Sequence, residues 1–139
     1  MTKYYEVGII SHETALVAVN AAIAEGQKQG VAISVAIVDP SMQLVVFAKA
    51  DGATPHSAET SRRKANTAVS TKKKTGWMDD KLAIALPAAA NNQLTNVPGG
   101  FPIKFDGKVV GGLGIAGGTV EQDAAIAQAV ITAIGADTE

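Results

Sequence analysis

The chain has no cysteine. That excludes disulfides, thiolate catalysis, thiolate-bound zinc and cysteine-held iron–sulfur clusters. Aromatic residues make up only 4% of it, and its histidines are 2 in number, His12 and His56. Ring-lined pockets and histidine clusters are therefore both scarce. The net charge of -1 gives no general attraction to nucleic acid or to an anionic membrane. No apolar run approaches the roughly 18 residues that would span a bilayer. The opening Met1-Thr-Lys-Tyr-Tyr-Glu6 lacks the basic-then-apolar layout of a signal peptide, so the cytoplasm is the expected location. Also missing are the HxH and HExxH metal patterns, the GxSxG elbow and the GxxxxGK[ST] phosphate loop.

What is present describes one well-buried domain spanning residues 1–139. Of these residues 47% are hydrophobic and 18% charged. The alanine-rich composition suits close packing of elements and burial of small-residue faces in a homo-oligomer.

Local signals give an element order. Ser11 is placed to cap a helix carrying Leu16, Val19 and Ile23, which Gly30 ends. Val31 to Ile37 alternates, with Val31, Ile33, Val35 and Ile37 on one face and Ala32, Ser34 and Ala36 on the other. A turn at Pro40-Ser41 returns the chain as a second strand, Met42 to Lys49. Pro55 sits near the first position of the next helix, Ser57 to about Thr71. Lys72-Lys73-Lys74-Thr75-Gly76 closes that helix, with Gly76 suited to the left-handed cap. Asp79 caps a short helix reaching Ala90, and Thr95 to Pro102 reads as a loop. Asp106-Gly107 joins Ile103–Phe105 to a final strand, Val109 to Ala116. Thr119-Val-Glu-Gln122 forms a capping box for the last helix, with Ile126, Val130 and Ile134 as its stripe. Helix, hairpin, helix, helix, hairpin, helix predicts an α+β layered domain.

The glycines of the last strand invite a misreading. Gly112-Leu-Gly-Ile-Ala-Gly117 has the GxGxxG spacing of a dinucleotide site. Such a site needs a further parallel strand with an acidic residue about 20 positions on. Only 22 residues follow Gly117, and the last helix takes most of them. Val109, Gly111, Leu113 and Ile115 fall on one face of this strand, and Val110, Gly112, Gly114 and Ala116 on the other. Two explanations of the small-residue face stand: a helix packed very close, or a flat ligand lying over it.

Reactive groups are few. His12 reads as a solvated surface residue. His56, where a loop enters a helix, starts a polar stripe of His56, Thr60, Lys64, Thr67 and Thr71 along one face. An imidazole there can ligate a metal or serve as a base, or the stripe is merely solvated. Arg63 and Lys64, within the basic run Arg62-Arg63-Lys64, can neutralise a carboxylate. Lys72 to Lys74 read as helix-end charge. Pro98-Gly99-Gly100-Phe101-Pro102 is either a backbone anion seat or a plain lead into the last hairpin.

Four pieces of the chain, taken in order, carry a family resemblance. They are Val35-Ala-Ile-Val-Asp-Pro40 with Leu44–Lys49; Asp51-Gly-Ala53 followed by Arg63-Lys-Ala-Asn-Thr-Ala68; Pro98-Gly-Gly-Phe-Pro-Ile103; and Val110-Gly-Gly-Leu-Gly-Ile-Ala-Gly-Gly-Thr-Val-Glu-Gln-Asp123. Across Ser11 to Ile134 the chain resembles the GlcG/HbpS-like family, which includes the C-terminal domain of PduO-type adenosyltransferases. The resemblance implies a profilin-like fold, an antiparallel sheet with helices on both faces in a three-layer α/β/α stack, assembled into homo-oligomers. It also implies that Lys64 and Thr67 are associated with a pocket, and that Gly99, Gly100, Gly117 and Gly118 form its loops. Several relatives look like haem binders, one branch accompanies cobalamin metabolism, and others occur with small-acid or aromatic catabolism.

Three functional readings follow. In the first, the protein binds a small molecule, haem or a related tetrapyrrole: His56 is the axial ligand to the haem iron, Arg63 or Lys64 pairs with a propionate, and Trp77, Phe101 and Phe105 are the available ring contacts. In the second, it is a cofactor-independent enzyme acting on an unsaturated carboxylic acid by tautomerisation or a hydrolytic step, with His56 as acid/base. In the third, it is a non-catalytic oligomeric module. None of these involves nucleic acid or a membrane.

Overall fold

Four helices and four strands form in the computed structural model, which describes residues 1–139. Their order is α1 (His12–Lys28), β1 (Ser34–Val38), β2 (Leu44–Lys49), α2 (Ser57–Thr71), α3 (Asp80–Ala89), β3 (Gly100–Phe105), β4 (Lys108–Ala116) and α4 (Val120–Ala133). The strands make one sheet in the order β2-β1-β4-β3, with every neighbouring pair antiparallel. Helices α1 and α4 pack together over one face, and α2 lies across the other. This is the expected α+β fold with a three-layer α/β/α stack. No helix is long and apolar enough to cross a membrane.

Most element ends follow local chemistry. The side chains of Ser11, Asp79 and Thr119 accept hydrogen bonds from Thr14 N, Leu82 N and Gln122 N, and Thr119 with Gln122 completes the capping box. Asp106 and Gly107 both take positive φ, +54° and +77°, as a two-residue hairpin turn of this hand requires. The main core lies between the sheet and the α1/α4 layer. There Val35, Ile37, Ile103, Leu113 and Ile115 meet Val19, Ile126 and Val130. Each such side chain contributes about 1.5–3 kcal/mol by leaving water.

Several local expectations are corrected. The left-handed residue ending α2 is Lys72 (φ 58°, ψ 31°) rather than Gly76. Pro55 stays outside α2, whose N-cap is His56 in a right-handed helical conformation. Gly100 does not belong to a loop, because β3 begins there and pairs Gly100 with Gly114. A bulge between Ile103 and Lys104 makes Val110 the extra residue of β4, since Ile103 pairs with Gly111 but Lys104 with Val109. The bulge swaps two side chains across the sheet. Val109 packs toward α2, and Val110 joins the α1/α4 core.

The glycine face has a single occupant, helix α2. A Cβ on Gly112 would collide with Ala65 O, one on Gly114 with Ser61 O, and one on Gly100 with Lys64 O. All three obstacles are α2 backbone. The helix sits directly on the strands, so close packing and not a flat ligand explains these residues.

Candidate functional site

Resting α2 on bare backbone has a consequence for Lys64. Its residue is 1% exposed, because the helix face that carries it is pressed against β4 and β3. A buried ammonium must find partners. Lys64 Nζ donates to Ile115 O at 2.7 Å and to Asp123 Oδ2 at 2.8 Å. Asp123 Oδ1 in turn accepts from Gly118 N at 2.9 Å, which ties the β4–α4 turn to the same carboxylate. Burial pushes the Lys64 amine below its ordinary range, against the opposing hydrogen bond and charge of Asp123.

Gly99 makes room for this pair. Its φ is +124°, and a Cβ there would lie 2.6 Å from Ile115 O and 2.9 Å from Lys64 Nζ. Any side chain would displace the ammonium.

Above the pair lies a cavity of about 320 Å³, where the N-terminus of α2 meets the turn leading into α4. Lys64 and Asp123 lie at its buried end, Thr60 is half-buried in the wall, and the exposed His56 and Thr54 stand at the rim. Ala116, Gly117, Gly118, Val97 and Val120 complete it. His56 makes no side-chain capping bond to α2, so its imidazole is not engaged with the helix it begins.

The structure thus brings His56, Lys64, Gly117 and Gly118 into one cavity, with Gly99 against Lys64. Other sequence candidates lie elsewhere. Arg63 points away, 3.5 Å from Glu59, into a polar recess with Arg62 and Asn66. Thr67 is buried, donating to Arg63 O and accepting from Thr95 N, and so anchors the segment after α3. Gly100 is packed under α2. Phe101 is buried beneath the ammonium of Lys74, 4.7 Å from its ring centroid, and lines another cavity. Neither Trp77 nor Phe105 borders the His56 cavity.

Asp123 is the residue that sequence reasoning missed. Its signal was present: it follows the capping box by one position, in the first turn of α4, and a buried lysine demands an acid. Which acid serves depends on how helices 59 positions apart are packed.

Comparison with known proteins agrees with this architecture. Residues 10–132 match the family described as "Haem degrading protein HbpS-like". The chain is 36% identical over 126 residues to the corrinoid adenosyltransferase PduO of Salmonella typhimurium, covering 85% of this chain and 37% of that one. It therefore spans little more than a third of that relative's length. It is 29% identical over 108 residues to protein GlcG of Escherichia coli K12, covering 77% of this chain and 81% of that one. Among solved structures, Klebsiella pneumoniae protein ORFY superposes with a TM-score of 0.89 at 26% identity, covering 97% of both chains. A PduOC:haem complex superposes with a TM-score of 0.87 at 32% identity, covering 94% of this chain and 99% of that one.

Proposed function

The chain belongs to the HbpS-like family, and from that membership we propose that it binds haem or a related tetrapyrrole at the His56 cavity. The observation that carries this reading is His56 itself: an exposed imidazole, free of any capping bond, at the mouth of a cavity lined by Val97 and Val120. Histidine is one of the side chains that hold haem iron; bound here, the group would be held through the His56 imidazole and would supply redox or oxygen chemistry. No three His, Asp or Glu side chains gather to hold a bare metal ion. His56 fits the role of haem ligand.

The anchoring of propionates fits less well within one chain. Lys64 is engaged by Asp123, and Arg63 is turned toward Glu59 on another surface. In this reading His56 ligates, Thr60 and the Gly117-Gly118 turn shape the wall, and Lys64, Thr67, Gly99 and Gly100 hold that wall in place. The propionates would then be left to solvent or to a second copy of the chain.

Haem titration followed by absorbance tests the proposal. Wild type is expected to give a saturable, shifted Soret band, and His56→Ala is expected to lose it. An unshifted spectrum for wild type overturns the reading.

One observation favours the second reading, a cofactor-independent acid/base enzyme acting on an unsaturated carboxylic acid. The Lys64–Asp123 pair lies beneath the same cavity, where a proton moved by His56 has charged neighbours. Turnover of such an acid, lost in His56→Ala without any Soret response in wild type, would select it.

Homo-oligomerisation has its own support in α3. This helix buries none of its residues, and Ile84 is 77% exposed. An apolar helix left this bare calls for a cover, and we assign that role to a second copy of the chain. Ile84→Glu is expected to reduce the assembly to smaller species in sedimentation velocity while leaving the circular dichroism unchanged. Unaltered sedimentation would remove α3 from the interface.

A further inference from the structure

Four lysines converge where α2 ends, on a different part of the surface from His56. Lys72, Lys73 and Lys74 follow α2 directly, and Lys104 lies on β3. A continuing helix would send three consecutive side chains in three directions. The left-handed turn at Lys72 breaks that periodicity, and all three line one cavity together with Lys104. Helix-end electrostatics accounts for cations at positions 72 to 74. It does not account for a fourth facing them from the sheet.

These amines lack acidic partners. The ion pairs of the chain are Lys28–Glu25, Arg63–Glu59 and Lys64–Asp123, and none involves the four. Lys73 and Lys74 rest over aromatic rings instead, 4.4 Å from the centroid of Trp77 and 4.7 Å from that of Phe101. Lys74 also donates to Gln128 Oε1 at 3.3 Å. The acids on the cavity wall are Asp137 and Glu139. Asp137 is engaged by the hairpin turn, accepting from Gly107 N at 2.7 Å and Asp106 N at 3.3 Å. Four lysine side chains thus share this cavity with two acidic side chains, one of them already engaged by the hairpin turn.

We propose that this cavity binds a small anion carrying adjacent phosphate groups, a diphosphate. Lysines act as point-charge donors to phosphate oxygens, and donors approaching from two elements surround such a group rather than touching one side. The cavity measures about 160 Å³. At about 30 Å³ per water that is room for roughly five waters, the scale of a diphosphate and not of a nucleic-acid strand.

Calorimetric titration of the full chain with inorganic pyrophosphate, and in parallel with adenosine diphosphate, tests the proposal. One site per chain is expected at about 0.15 M salt, the condition that screens diffuse surface attraction. Lys74→Gln combined with Lys104→Gln is expected to bind about tenfold more weakly, as befits the loss of one exposed and one half-buried charge contact. His56→Ala is expected to bind like wild type. Equal affinity for the two probes assigns the free anion, and tighter binding of the nucleotide assigns an organic diphosphate. Absence of heat with both probes, or undiminished affinity in a double variant that melts like wild type, overturns the proposal.

Discussion

Lys64→Met is expected to cost about 3–5 kcal/mol of folding stability, the usual penalty for breaking a buried ion pair from one side. The side chains of Lys64 and Asp123 are 1% and 4% exposed, so the abandoned carboxylate could not recover water. It would keep the Gly118 N–H alone, and Ile115 O would lose its donor. Denaturant midpoints at constant m-value measure the loss. Replacing both partners, Lys64→Met with Asp123→Leu, is expected to regain part of it, because the abandoned charge is gone while Ile115 O and Gly118 N–H stay without these partners. A double variant as unstable as the single one would mean that the pair holds the β4–α4 turn in a way packing cannot replace.

The same lysine sets a pH dependence. Burial lowers its pKa in the folded chain from 10.5 and outweighs the raising effect of Asp123. Between the lowered value and 10.5 the unfolded chain binds more protons than the folded one, so stability contributed at Lys64 rises with pH in that window. Wild type is therefore expected to gain on Lys64→Met as the pH rises toward 10.5. A constant difference across that range would show that the amine keeps its ordinary pKa.

The second large effect belongs to Gly114. Gly114→Ala is expected to destabilise the chain by at least about 3 kcal/mol, at the upper end of overpacking penalties. The added methyl would strike Ser61 O and lie 2.7 Å from Ala65 N, both backbone atoms of α2. A flexible side chain could swing aside, but a helix must move as a body. Moving it would also pull Lys64 away from Ile115 O and Asp123. Thermal or urea unfolding reads the cost, and a near-neutral substitution would show that α2 can ride higher on the sheet without loss.

Much of this protein was settled by interactions reaching only a few positions along the chain. The caps at Ser11, Asp79 and Thr119, the Asp106-Gly107 turn and the alternation of Ile33, Val35 and Ile37 each depend on neighbours that a short window contains. They fixed the element order and the α+β class. They also marked the glycine face of β4 as a place of close approach, without naming what approaches.

The site was legible only in part, for the opposite reason. That His56 and Lys64 share a helix face follows from spacing. That Arg63, one position earlier, leaves the cavity for Glu59 follows from how α2 is rotated on β4. The choice of Asp123 among the acids, the space Gly99 leaves for an ammonium, the Val110 bulge and the approach of Lys104 to Lys72–Lys74 all join positions far apart in sequence. Periodicity determined which residues could face inward. Only the rigid docking of α2 on bare glycine backbone decided which of them meet, because a contact across layers depends on the position and rotation of whole elements and not on the propensities of their residues.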